Sequence, residues 1–298
     1  LKGHAEAFSP AGLSGIFRTH IVKDNPMLTG AWGAGLALKK GVYVNVRLTG
    51  KKGIRTFLNG EERDLFVSKT VANTILEKAG IKDVGLVIEQ KIEIPIGGGL
   101  GSSGASALAT ALAVAKIVNF KASYTELAQI AHVAELINET GLGTVSGLAT
   151  GGAVIVRTPG APGYDRVDRI IVDGQVGVVI GFYGPRDKRE VISSSNIAHI
   201  DELGERLLRN LIEEPSIENF VKVSREFAER TGLMSPKVKE TLNMLKGLDI
   251  IGASMAMIGD TVFVLADTDI LWEVQEALEE TCALTLTTGI SWEPAKLL

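Results

Sequence analysis

The 298-residue chain has a single cysteine, Cys282, so no intramolecular disulfide can form. The alternation of "TCALTLT" points that side chain at a core face, where a cysteine serves as a small apolar residue. Lysine and arginine form no basic tail or block, and the formal net charge is −4. Nucleic acid is therefore not an expected partner. The longest apolar run, Ala105 to Val118, is broken by Thr110 and Lys116 and is too short to cross a bilayer. No membrane partner and no signal peptide are read from the chain, so a cytoplasmic location is the expectation. No repeat of 20 to 50 residues is present. What the chain does have is 45% hydrophobic residues, enough for a sizeable core, and a length that suggests about two domains.

The first third reads as strands and turns. In "GVYVNVRLTG", Val42, Val44, Val46 and Leu48 share one face. Asn59-Gly60 is a hairpin signal between extended segments. "VSKTVANTILEKAGI" has helical spacing and a stop at Gly80. "VGLVIEQKIEIPI" is extended again, and an alanine-rich helix covers 102–118. Ser123 and Glu126 form a capping box that opens "YTELAQIAHVAELINETG". "GGAVIVRTPGAPG" is a strand ending in a Pro/Gly loop. That loop, Pro159 to Gly163, divides the expected domains, 1–163 and 164–298. Beyond it come the strands "VDRIIVD" and "VGVVIGFYG", then three helical segments between 198 and 246. The third has Ser235 as cap, Pro236 in its first turn and Gly247 as stop. "MAMIGDTVFVL" reads as a hairpin around Gly259-Asp260. A helix near 269–280 and a strand near 282–287 complete the chain. This mixture implies an α+β fold rather than a doubly wound parallel sheet.

The stretch "IEIPIGGGLGSSGAS" carries the strongest chemical signal. Its glycines let backbone N–H groups turn toward an anion, and the helix that follows adds its positive end. A Walker A loop requires Gly-Lys-Ser/Thr, but Gly101 is followed by Ser102. Gly99, Gly101 and Gly104 match the dinucleotide pattern G-x-G-x-x-G. The strand before them does not suit it: Ile92, Ile94 and Ile96 alternate with Glu93 and Pro95, a half-exposed pattern. A nicotinamide-dependent oxidoreductase stays as an alternative on those three glycines alone.

The run from Pro95 through Gly97, Gly98, Gly99, Leu100, Gly101, Ser102, Ser103 and Gly104 resembles the P-x-x-x-G-L-G-S-S-A phosphate loop of the GHMP kinases. "AFSPAGLSGIF" resembles that family's first motif, at the substrate end of the site. "IIGASMAMIGDTVFVL" stands where its third glycine-rich motif belongs, without the usual G-x-G-x-G-G form. These two, with "DNPMLTGAWGAGLAL", look most like the archaeal pantoate kinase branch. The resemblance spans the chain and implies a two-domain fold: an N-terminal half like domain 2 of ribosomal protein S5 and a C-terminal ferredoxin-like sandwich. It also implies ATP and Mg²⁺ as cofactors, pantoate as small-molecule substrate phosphorylated on its 4-hydroxyl, and a homodimer as a possible assembly. A homoserine- or mevalonate-type kinase and a non-catalytic ligand-binding relative are the alternatives within the superfamily.

By the same resemblance, Ser103 and Glu135 hold the metal, a hydroxyl and one carboxylate suiting a cation that keeps most of its water. Glu135 shares a helical face with Ala128 and Ala131. The turn after its helix, "GLGTVSGLATGG", has Thr144 where pantoate-type relatives are expected to carry a catalytic aspartate. A general base is dispensable in phosphoryl transfer, which depends mainly on positioning and charge neutralisation. Arg157 and Arg186 are the implied carboxylate clamp, because a planar guanidinium matches a carboxylate. His132 and Thr29 complete the implied substrate-binding set.

Overall fold

The computed structural model describes residues 3–187 and 196–298. It contains two sheets, each covered by helices. The first is organised by two long strands, β1 (His4–His20) and β2 (Gly30–Thr49), antiparallel along nearly their whole length. Register shifts at Pro10/Ala11 and Ser14/Ile16 bend the pair. The C-terminal half of β2 pairs with β5 (Gly85–Ile92), and its N-terminal half pairs with β6 (Ala153–Thr158). Strands β3 (Gly53–Leu58) and β4 (Glu61–Glu62) meet at Asn59 and Gly60, with φ of 49° and 90°. Both lie in the left-handed region that a tight hairpin turn demands.

Val42, Val44 and Val46 are buried on one face of β2, as their alternation predicts. They pack beneath α1 (Phe66–Lys78), α2 (Ser102–Val118) and α3 (Tyr124–Ile137). Helix α2 is buried from Gly104 through Ala115, so it runs through the core instead of lying on it. Ser123 caps α3 by accepting from Glu126 N at 3.1 Å. The strand expected to reach Ile96 ends at Ile92, and Ile96 is exposed. Alternation alone does not mark where hydrogen-bond pairing stops.

The Pro159–Gly163 loop does not separate the two sheets. Strand β7 (Arg166–Ile170) returns from it to pair antiparallel with β6. The chain changes sheet between Ile170 and β8 (Val176–Gly184), and β12 (Lys296–Leu297) returns to the first sheet beside β1. The second sheet has the order β11-β8-β10-β9, with β9 Gly252–Met255, β10 Asp260–Asp267 and β11 Leu284–Gly289. Numbered within this unit the order is 4-1-3-2, the ferredoxin-like arrangement. Among the described residues, α5 (Ile197–Glu213), α6 (Ile217–Arg230) and α7 (Pro236–Met244) lie between β8 and β9, and α8 (Leu271–Glu279) lies between β10 and β11. Ser216 and Ser235 cap α6 and α7. Cys282 is only partly buried against this second core.

Strand β1 belongs to both cores. Ala5 and Ala7 pack in the first, Leu13 and Ile16 in the second, and Phe17 meets Phe227 edge-on at 5.4 Å. The seam between the cores therefore runs along the middle of β1. No helix among the described residues is long and apolar enough to cross a membrane.

Candidate active site

The glycine-rich loop connects β5 to α2 and lies on that seam. Gly97, Gly99 and Gly101 have φ of 79°, 75° and 63°, values that a side chain would strain. The loop is held from three sides. Gly12 N in β1 donates to Leu100 O at 3.0 Å, and Arg186 N donates to Gly97 O at 3.2 Å. The turn between β9 and β10 supplies the third contact: a Cβ on Gly99 would stand 3.1 Å from Ala256 O and Gly259 N. The hairpin read around Gly259-Asp260 thus forms a wall behind the phosphate loop. Gly101 precedes α2 and no side chain caps the helix, so its first N–H groups are left for another acceptor.

The residues implied as metal ligands converge at the start of α2. Glu135 is 2% exposed, and its Oε1 accepts from Thr140 Oγ1 at 3.2 Å. Its Oε2 lies 2.8 Å from where a Cβ on Gly104 would stand, so the carboxylate rests against the first turn of α2. Ser103, in that same turn, has a buried Oγ with no hydrogen-bond partner. Such an orphaned hydroxyl is costly unless a ligand completes it. No group of three or more His, Cys, Asp or Glu that could hold a metal occurs among the described residues. One carboxylate and one hydroxyl suit a cation that takes its remaining ligands from phosphate and water, as Mg²⁺ does.

Thr144 begins the short helix α4 (Thr144–Thr150) and sits in the angle between the phosphate loop and β1. Its Cγ2 is 2.7 Å from the position of a Cβ on Gly101 and 3.1 Å from that on Gly12. Its Cβ is 3.2 Å from the position of a Cβ on Gly104. Thr144 also lines a cavity of about 590 Å³ that opens beside the loop. Strands β1, β2 and β6 provide half of the wall, through residues such as Gly12, Phe17, Gly33, Leu36 and Val156, and the segment from Leu136 to Leu148 provides much of the rest. A Cβ on Gly33 or Gly35 would run into the β1 backbone at Ile16 O or Leu13 O, so these glycines let β1 and β2 approach closely. Polar groups on the wall include Ser14, Thr19, Thr140 and Glu139, and among the described residues no lysine, arginine or histidine lines it.

The four residues implied as a substrate clamp are not assembled around this cavity. His132 is 1% exposed, and its Nε2–H donates to Thr29 O at 2.9 Å and lies 3.2 Å from Pro26 O. Burial pushes its pKa below the ordinary value, against the pull of those two carbonyls and of Asp165. It fastens the β1–β2 connection to α3. Thr29 Oγ1 is engaged by the backbone of Val22. On β6, Val154 and Val156 face the cavity, and strand alternation directs Arg157 away from it. Arg157 pairs with Asp168 on β7 at 2.9 Å. Arg186 Nη1 donates to Leu233 O at 2.7 Å. Sequence reading supplied these residue types but could not show which way each strand residue faces. It also missed Thr140, which orients Glu135 from a turn five residues later, where no helical spacing signals it.

Known proteins resemble this chain in both sequence and fold. Residues 66–152 match the GHMP kinases N terminal domain, and residues 207–284 match the GHMP kinases C terminal domain. The pantoate kinase of Methanocaldococcus jannaschii is 34% identical over 273 residues, covering 91% of this chain and 96% of that protein. A solved structure described as a phosphotransferase related to the CoA biosynthesis pathway superposes with a TM-score of 0.88 at 28% identity, covering 99% of this chain and 98% of that one. Homoserine kinase from Cytophaga hutchinsonii gives a TM-score of 0.75 at 18% identity, over 100% and 98% of the two chains, which is likeness of fold alone. With both family segments in order and a 34% identical relative matched along most of its length, the chain belongs to the GHMP kinases.

Proposed function

We propose that the protein is an ATP-dependent pantoate kinase, transferring the γ-phosphoryl group of ATP to the 4-hydroxyl of pantoate. The observation that carries the reading is the convergence of the phosphate loop, Ser103 and Glu135 at one end of the cavity that Thr144 lines. The relatives named pantoate kinase select the acceptor. Pantoate has a gem-dimethyl centre, which suits the apolar strand wall, and hydroxyls within the reach of Ser14, Thr19 or Thr140.

In this reading the N–H groups of the loop and the first turn of α2 bind the phosphates of ATP. Ser103 Oγ and the Glu135 carboxylate hold Mg²⁺, with Thr140 fixing the carboxylate. Bound there, the metal supplies neutralisation of charge on the transferring phosphoryl oxygens. The acceptor hydroxyl would lie near Thr144; as its bond to the γ-phosphorus forms, the bond from that phosphorus to the ADP oxygen breaks, and the hydroxyl proton passes to an oxygen of the transferred phosphoryl group. None of the described residues that line the cavity is a lysine or arginine, so no described side chain is assigned to the acceptor carboxylate. Steady-state ADP release with pantoate, homoserine and mevalonate as acceptors tests the assignment. Pantoate should have the highest kcat/KM, and a preference for either of the others overturns it.

A further inference from the structure

On the side of α4 away from the phosphate loop is a second cavity of about 260 Å³. It lies between α3, α4 and the start of β7, and its polar lining comes from Tyr124, Thr125, Ser146, Thr150 and Asp165. Two oxygens there have no hydrogen-bond partner. One is Ser146 Oγ, on a residue 2% exposed; the other is Asp165 Oδ2, itself buried. Asp165 Oδ1 accepts from Gly163 N at 3.1 Å. Ser146 is near enough to favour the charged carboxylate, although burial dominates and pushes the Asp165 pKa up.

Among the described residues the lining contains no lysine or arginine. The neighbouring histidine, His132, is held toward its neutral form and spends its Nε2–H on Thr29 O. Among the described residues the cavity therefore brings a carboxylate oxygen and a hydroxyl together with no lysine or arginine in its lining, and the Arg169 guanidinium donates to Thr150 O. A water occupies about 30 Å³ of liquid, so the volume admits an ion with part of its hydration shell. One carboxylate among hydroxyls balances a single positive charge. No group of three metal-ligating side chains occurs among the described residues, so a divalent or transition-metal cage is not built here.

We infer that this cavity is a binding site for a partly hydrated alkali cation, K⁺ or Na⁺, held by the Asp165 carboxylate and Ser146 Oγ. The ion would join α4 to the start of β7. Because Thr144, two residues before Ser146 on α4, abuts the phosphate loop, occupancy also steadies the catalytic end of that helix.

The test is the unfolding temperature of the ligand-free protein in KCl, NaCl and choline chloride at matched ionic strength. A specific site predicts a saturable rise of roughly 2–4 °C in at least one alkali chloride over choline chloride. Ser146→Ala and Asp165→Asn should each remove most of that increment. Equal Tm values in all three salts for the unaltered protein overturn the proposal, and this comparison needs no variant to fold. An increment that survives intact in either variant also overturns it, because the ion then binds elsewhere.

Discussion

Replacing Thr144 with aspartate tests the site most sharply, because it has two separable consequences. The position of a Cβ on Gly104 is 2.8 Å from Glu135 Oε2 and 3.2 Å from Thr144 Cβ, so those two atoms are at most about 6 Å apart. A carboxylate at 144 would therefore stand beside an existing buried one. At that separation like charges repel by about 1 to 3 kcal/mol, for effective dielectric constants between those of water and a protein surface. The metal-free variant should unfold several degrees below the unaltered protein. Mg²⁺ with ATP should restore more stability to the variant than to its parent, since the cation sits against both carboxylates. The second consequence is kinetic. A threonine hydroxyl cannot take the acceptor proton near neutral pH, whereas a carboxylate can, and general-base assistance is typically worth roughly 10²–10⁴-fold. With saturating Mg²⁺ and ATP, kcat for Thr144→Asp should rise at least tenfold. Thermal unfolding with and without Mg²⁺, together with steady-state kinetics, reads both effects. An unchanged metal-free Tm refutes the proximity to Glu135. A fall in kcat with an intact circular dichroism spectrum refutes the base argument and leaves a base-free mechanism.

Ser103→Ala and Glu135→Gln should each lower kcat far more than they raise KM for pantoate, because both act where charge develops in the transition state; near-normal kcat for Glu135→Gln would place the metal elsewhere. Gly99→Val should abolish the Tm rise given by ATP, since its Cβ would meet the backbone of Ala256 and Gly259 at 3.1 Å and φ is 75°; an intact rise would move the phosphate site. Burial lowers the folded-state pKa of His132 below 6.5, so the unfolded chain takes up that proton first. The stability it contributes is complete above about pH 6.5 and is lost as pH falls toward the folded value. Asp165 acts in the opposite sense, its raised pKa favouring the folded state at low pH and losing that contribution as pH rises through the folded value. His132→Gln, whose amide can still donate to Thr29 O, should therefore flatten the decline of Tm below about pH 6.5; parallel curves would remove His132 from the acid limb.

Local chemistry was legible in the sequence where it determines local structure. The Ser123 and Ser235 caps, the Asn59-Gly60 turn, the extent of α2 and the β9–β10 hairpin all follow from residues close together in the chain. The glycine-rich loop was legible because strained backbone requires glycine. The lengths of β1 and β2 were not. Segments such as "GAWGAGLAL" are poor in branched residues, and it is long-range pairing that makes them strands. The Pro159–Gly163 turn marks a reversal of the chain, and only the register with β6 shows that the next strand stays in the same sheet. The clamp residues were read from type and order. Their directions depend on strand facing at Arg157 and on tertiary acceptors at His132 and Arg186.

The most direct test of the central claim is the identity of the product. Incubation with ATP, Mg²⁺ and (R)-pantoate, followed by phosphorus NMR and proton–phosphorus correlation, reports which oxygen receives the phosphoryl group. The account predicts stoichiometric ADP and a phosphomonoester on the 4-hydroxyl. Inorganic phosphate without an organic ester, or an ester formed on homoserine or mevalonate but not on pantoate, would contradict it.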